Sequence, residues 1–462
     1  MLSRANLRLI PFLLLLFVLP LCAQDSNAPW DKIAEEVLQK TGVPSASVAI
    51  VRDGKIAYLH AYGYANLENK TAAQPNMRYS VGSISKQFTA AAILLLQEQG
   101  KLSIDDKVSK WVPGLTDGDK VTIRQLLSHT SGYQDYWPQD YVMPGMLQPT
   151  SAQQILNQWA KIPLDFEPGT KWQYSNTNYV IAGLIVEKAA GKPLLDFLQE
   201  RVFGPLGMTS VTNTDQQKLP PSDPTGYMRY ALGPLHPAPK EGKGWMFAAG
   251  ELAMTAEDLA RWDLSLINQT VLKSESYRQM ETEVLLKNGA GTRYGLGVDV
   301  ELQGSHRYIG HGGEVSGFVS ANAVFPDDRA AVVVLTNQDA IGAASQIADK
   351  IGQTFFAPTE GATSKATETA RQVFLDLQQG KIERSLFTSN CNAYFDETAL
   401  HDYANSLGPL SKVQDFTLTR ESLRGGMVHR SFTVKLDGRS VSINSYWMPD
   451  GKIEQFIVTP RD

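Results

Sequence analysis

Three short stretches of this chain carry side chains that could do chemistry together. The first is Ser83-Ile84-Ser85-Lys86, the one Ser-x-x-Lys in the sequence. On a helix, residues three apart share a face, so Lys86 would stand beside the Ser83 hydroxyl. A serine hydroxyl becomes a useful nucleophile only when a neighbouring base takes its proton, and a desolvated lysine can do that. The tetrad alone arises by chance on the order of once in a chain of this length. Here it opens a helix, where backbone N–H groups could face an oxyanion. The second stretch, Tyr174-Ser175-Asn176, offers a phenol for proton transfer and an amide for hydrogen bonding. Tyr64-Ala65-Asn66 and Tyr403-Ala404-Asn405 have the same form, but Tyr174 follows a Pro-Gly loop and lies between the other two motifs. The third is His311-Gly312-Gly313, the one His-x-Gly, at the entry to a late strand, where glycines let an edge strand approach a ligand closely.

The elements that would position these residues can be read on either side of them. Ser45 to Val51 and Lys55 to Ala61 flank Asp53-Gly54, a hairpin turn. Ser83 to Gly100 reads as a helix rich in Ala, Leu and Gln, and the apolar spacing stays helical from Val121 to about Gly207, with Asn178 to Gly191 the clearest helix. Strands return at Gly317 to Phe325 and Ala330 to Thr336, followed by a helix from about Gly342 to Phe356. Strands, then helices, then strands and a helix predict an α/β (α+β) fold. Both ends of the segment would form an antiparallel sheet, with a helical subdomain inserted between them. Ala357 to Ala366 is small and polar and reads as a linker. Helices at Thr367 to Leu377 and Glu397 to Leu407, then strands around Asp437-Gly438 and Asp450-Gly451, predict a second α+β unit. The expected division is residues 1–23, 24–357, a linker at 358–366, and 367–462.

In order, the three motifs resemble those of the serine β-lactamase and penicillin-binding-protein superfamily, which carries Ser-x-x-Lys, Tyr-x-Asn or Ser-x-Asn, and Lys-Thr-Gly or His-x-Gly. The nearest likeness is to its class C β-lactamase branch, with esterase and D-peptidase relatives. Leu126-Leu127-Ser128-His129-Thr130-Ser131-Gly132, Pro205-Leu206-Gly207-Met208 and Tyr294-Gly295-Leu296-Gly297 support it, and the resemblance covers about Trp30 to Phe356. It implies that Ser83 is acylated, Lys86 deprotonates it, Tyr174 relays a proton to the leaving group and Asn176 positions the substrate. It further implies that His311 lines the opposite wall, and that the N–H groups of Ser83 and of Glu314, just after Gly313, form the oxyanion hole. The chain departs from the β-lactamase pattern at its third motif. His311 is not a permanent cation and Gly312 has no hydroxyl, where the family binds a substrate carboxylate, which favours an ester or another amide.

Other readings stand beside these. Tyr133, Tyr136, Trp137 and Tyr141 could wall a cleft or simply pack, and His129 reads as a brace for the loop containing Gly132. No Gly-x-Ser-x-Gly elbow occurs, which disfavours an α/β-hydrolase. Among seven histidines there is no His-x-x-x-His or His-x-His, so neither a metal nor another cofactor is expected. A net charge of -5 without a basic run argues against nucleic acid or an anionic membrane as partner and says nothing about the substrate; a small-molecule or peptide substrate is what the resemblance implies. A rival function is a sensor or penicillin-binding protein that captures an acyl ligand without efficient turnover. The C-terminal unit weakly resembles the nuclear-transport-factor-like cone fold, and ligand binding, dimer formation or bracing all remain open for it.

Arg4 and Arg8, the apolar run Leu9 to Leu21 and the break after Leu21-Cys22-Ala23 read as a secretory signal cut after Ala23, hence a secreted or periplasmic protein. Cleavage would leave Cys391 alone, so no internal disulfide is expected, and no later segment is long and apolar enough to span a bilayer.

Overall fold

A computed structural model describes residues 29–461 apart from 140, 304–305, 357–361, 411 and 425–426. The proposed signal, residues 1–23, lies outside the described residues, as does the first part of the expected linker, residues 358–361. The rest of that linker is a correction: Ala362–Leu377 is one helix, so residues 362–366 are helical. Ala and Lys in that stretch favour helix, and a composition read only for its small residues hides this.

The strands of the large sheet are β1 (Ser45–Arg52), β2 (Lys55–Asn66), β3 (Thr71–Ala72), β4 (Asp299–Gln303), β5 (His306–Val315), β6 (Phe318–Phe325) and β7 (Ala330–Thr336). Their order is β3-β2-β1-β7-β6-β5-β4. The first and last hairpins meet through β1 and β7, which pair antiparallel from Ala46↔Thr336 to Val51↔Ala331. Between β1 and β2, Asp53 and Gly54 take φ of 52° and 71°, the left-handed pair that a tight hairpin turn requires.

Successive strand residues point to opposite faces. In β1, Ala46, Val48 and Ile50 enter one core, and Ala49 and Val51 the other. In β7, Ala330, Val332 and Val334 join the first set and Ala331, Val333 and Leu335 the second. A sheet covered on both faces explains the continuous apolar runs Val48 to Val51 in β1 and Ala330 to Leu335 in β7. The helices Pro29–Thr41 and Ala343–Gln353 cover one face. The helices inserted between β3 and β4 cover the other, and Ser85–Glu98 lies deepest, buried at every position from Ser85 to Leu96. Each fully buried Val, Leu or Ile there contributes roughly 1.5–3 kcal/mol over an exposed one.

A small sheet anchors the approach to Ser83. Tyr79–Ser80 pairs with Leu252–Met254, which also pairs with Thr212–Asn213. Beyond residue 361, β8 (Asp415–Arg424), β9 (Met427–Leu436), β10 (Arg439–Trp447) and β11 (Ile453–Arg461) form an antiparallel meander. Helices supply Phe374, Leu377, Cys391 and Leu407 to its own core, around Phe432 and Ile443. Cys391 is a free, buried thiol.

Candidate active site

Ser83 sits in a single 3₁₀ turn, Gly82–Ile84, which runs directly into the buried helix Ser85–Glu98. The turn is clamped from both sides. Val81 N–H donates to the Leu252 carbonyl at 2.9 Å, and Ser320 Oγ on β6 donates to the Val81 carbonyl at 2.8 Å. Gly82 has φ of 52°, and a Cβ there would lie 2.8 Å from the Glu314 nitrogen. The nucleophile turn and β5 therefore meet backbone to backbone. The Glu314 side chain points elsewhere, accepting from Ala340 N–H at 2.8 Å.

Only one of the two motif glycines makes this approach possible. A Cβ at Gly313 would fall within 2.4 Å of Ser320 Oγ and closer still to the Val81 carbonyl, whereas one at Gly312 meets nothing nearer than 4.0 Å. The expected edge strand needs refinement too. β5 lies inside the sheet, but β4 pairs only with its residues His306 to Gly310. Among the described residues, the half from His311 to Val315 pairs with no strand on that side.

Lys86 is fully buried, and its Nζ lies 2.9 Å from Ser83 Oγ, 2.8 Å from Asn176 Oδ1 and 2.7 Å from the Ala249 carbonyl. Burial pulls its pKa down to about 7, against the opposing charge of Asp135. A neutral amine has two N–H donors and one lone pair. With Asn176 and Ala249 able only to accept, the lone pair is left for the Ser83 proton.

Asn176 opens the helix Asn176–Ala190, two residues before the start read from the sequence, with Gly191 ending it in the left-handed conformation. Its amide is oriented by Asp135, whose Oδ1 accepts both Asn176 N–H (2.9 Å) and Nδ2–H (3.1 Å). Burial raises the Asp135 pKa, while those N–H groups and the charge of Lys86 lower it.

Burial, only partly offset by the Ser83 side chain, holds the Tyr174 pKa well above the ordinary phenol value. Lys86 and Tyr174 therefore differ in kind at neutral pH: the amine can be free of its proton, whereas the phenol keeps one to hand on.

The resemblance places His311 on the wall opposite Ser83. It is 7 % exposed, and burial, helped by the charge of Lys86, lowers its pKa to about 4. Its Nδ1 faces its neighbour's carbonyl, Gly312 O, which can only accept. The neutral ring thus carries its proton on Nδ1, and Nε2 accepts from the Tyr294 hydroxyl at 2.8 Å. Both nitrogens are taken by the protein. Its backbone N–H donates to Asn322 Oδ1 at 3.0 Å.

His129 is a brace. Fully buried with φ of 58°, it accepts from Ser175 N–H at 3.1 Å and stacks 4.3 Å from the Tyr174 ring. Tyr133 and Tyr136 are core residues whose hydroxyls donate to the Thr116 and Trp245 carbonyls. Trp137 packs half-buried on the core, and Tyr141 is exposed.

Sequence reasoning missed three contributors: Asp135, the Ala249 carbonyl and Tyr294 as partner of His311. Asp135 had a signal, a lone acid among Tyr133, Tyr136 and Trp137. The carbonyl had none.

A family model described as Beta-lactamase matches residues 30–353. Penicillin-binding protein 4* of Bacillus subtilis (strain 168) is 30% identical over 310 residues, 64% of this chain and 68% of the relative. A D-aminopeptidase of Brucella anthropi is 29% identical over 312 residues, 67% of this chain but only 58% of its own length. Among solved structures, a D-stereospecific amidohydrolase from Streptomyces sp. shares 29% identity at a TM-score of 0.60, covering 68% of this chain and 96% of that one. The chain belongs to the beta-lactamase family and is a serine hydrolase of the β-lactamase-related type.

Proposed function

We propose that the protein cleaves a neutral ester or an amide through an acyl-enzyme on Ser83, with Lys86 as base and Tyr174 as proton relay. One observation carries this reading: Lys86 Nζ lies 2.9 Å from Ser83 Oγ with its other two contacts on pure acceptors. Ser83 Oγ attacks the carbonyl carbon as its proton passes to Lys86, and the oxyanion is held by the N–H groups of Ser83 and Glu314. The tetrahedral species collapses as the C–N or C–O bond breaks. The leaving group takes its proton through Tyr174, which is replenished from Lys86. Water, activated by the same amine, then splits the Ser83 ester into a carboxylic acid and free enzyme.

Amides of D-configured residues are the first substrates to try, since relatives named D-aminopeptidase and D-stereospecific amidohydrolase share this domain. Export is part of the proposal and rests on Arg4, Arg8 and the run Leu9 to Leu21. No described helix is long and apolar enough to cross a membrane.

The test is turnover of purified protein on p-nitrophenyl esters, D-amino-acid p-nitroanilides and a chromogenic cephalosporin. Sustained product release from an ester or anilide is expected. A single stoichiometric burst followed by arrest would favour an acyl-ligand sensor instead.

A further inference from the structure

Next to Ser83 lies a cavity of about 230 Å³ whose charged interior the acyl-transfer steps do not use. It begins at the nucleophile turn. Gly250, which lines it, would place a Cβ 3.6 Å from the Gly82 carbonyl carbon, and Val315 and Ser316, also in its wall, follow Glu314 on β5. None of Lys86, Tyr174, Asn176 or His311 lines it. The group protonated by Tyr174 leaves on their side, so this cavity falls to the acyl half of the substrate.

Its walls combine an apolar passage with buried acids. Met246, Val315 and Phe318 supply the apolar part, and Asp215 and Glu241 the acids. Asp215 is 6 % exposed. Its Oδ1 accepts from Gly244 N–H (2.9 Å) and Met246 N–H (3.2 Å), and its buried Oδ2 has no partner. A buried carboxylate oxygen without a donor is unfavourable, and a cationic donor placed on it relieves this. Glu241, 9 % exposed, accepts from Ser316 N–H at 2.9 Å and adds a second carboxyl group, and burial raises the pKa of both acids. Lys218 and Lys240 also line the cavity; Lys240 Nζ donates to the Thr214 carbonyl, and its charge favours the ionised forms of Asp215 and Glu241 without reaching Asp215 Oδ2.

We propose that this cavity selects an acyl group whose side chain ends in a primary ammonium, with the alkyl stem along Met246, Val315 and Phe318 and the ammonium on Asp215. An apolar cavity of ~150 Å³ holds a benzene ring, so the space suffices for four methylenes and an ammonium. The proposal rests on the acyl-enzyme reading above, and the experiment separates the two.

The kcat/KM of the enzyme is compared on the p-nitroanilides of D-lysine, D-norleucine and D-glutamate. The first two share the α-ammonium and a four-carbon side chain and differ in the terminal ammonium. Lysine is expected to exceed norleucine at least about tenfold, equivalent to about 1.4 kcal/mol. Asp215→Asn keeps an oxygen for the two N–H donors but loses the charge, so the ratio should collapse toward one. A wild-type ratio near one, a preference for glutamate, or a ratio that persists in Asp215→Asn overturns the proposal. Calorimetric binding of D-lysinamide and D-norleucinamide to Ser83→Ala needs no turnover. Tighter D-lysinamide binding beside a wild type that hydrolyses nothing would sink the hydrolase reading and leave the pocket standing. Equal binding beside brisk hydrolysis of both anilides would do the reverse.

Discussion

The Tyr294 hydroxyl donates to His311 Nε2 at 2.8 Å, so the residue at the family's cation position has neither charge nor a spare N–H for a substrate. A carboxylate bound by a charged donor and a hydroxyl gains roughly 1.5–3 kcal/mol per charge-assisted bond. A β-lactam should therefore bind about ten- to a hundredfold more weakly here than where those donors exist. We expect kcat/KM for a neutral ester or anilide to exceed that for nitrocefin and benzylpenicillin when measured side by side. Faster β-lactam hydrolysis would contradict this account of His311.

The two motif glycines should respond differently to the same change. Gly313→Ala drives a methyl into the Val81 carbonyl and Ser320 Oγ. Overpacking of this kind typically costs about 1–3 kcal/mol, and here it also separates Glu314 from the Ser83 turn. A lowered Tm and loss of most activity are expected. Gly312→Ala, with open space around its Cβ, should keep Tm within about 1 °C, because surface-like changes stay near ±0.5 kcal/mol. Equal effects of the two substitutions would show that the approach of β5 to the turn matters less than argued.

Titration of Lys86 should govern the acid limb of activity. The base must be neutral, its pKa is drawn down to about 7 by burial, and activity is therefore present above that value and lost as pH falls through it. The Asp135 charge favours the ammonium, so Asp135→Asn should move the limb to lower pH. It should also reduce the plateau, since Asn176 loses its orienting partner and misplacement by about 1 Å can cost roughly 100-fold. Lys86→Arg should be inactive throughout, because guanidinium does not deprotonate. An unchanged limb in Asp135→Asn would detach it from Lys86.

Legibility followed how local each relationship is. Ser83 and Lys86 are three residues apart, so helix geometry alone foretold their contact. The double-faced burial of β7 was written in its unbroken apolar run Ala330 to Leu335, and Gly191 marked the end of its helix. The helix Pro29–Thr41 was not among the elements read from the sequence, although its buried Ala34, Val37 and Leu38 stand three and four apart. Relationships closed by the tertiary fold were illegible. Asp135 reaches Asn176 across 41 residues, and the Ala249 carbonyl reaches Lys86 across 163. A backbone carbonyl has no letter of its own. The burial of His311 and its bond to Tyr294 were likewise invisible, because they arise only once β5 is in place.

The central claim is a covalent acyl-enzyme on Ser83. It is tested most directly by quenching the protein in acid during turnover of a slow p-nitrophenyl ester and mapping the adduct by peptide mass spectrometry. The account predicts one acyl group per chain, on the peptide containing Ser83, absent from Ser83→Ala and from Lys86→Arg. Acylation of a different residue, or undiminished turnover by Ser83→Ala, would contradict it.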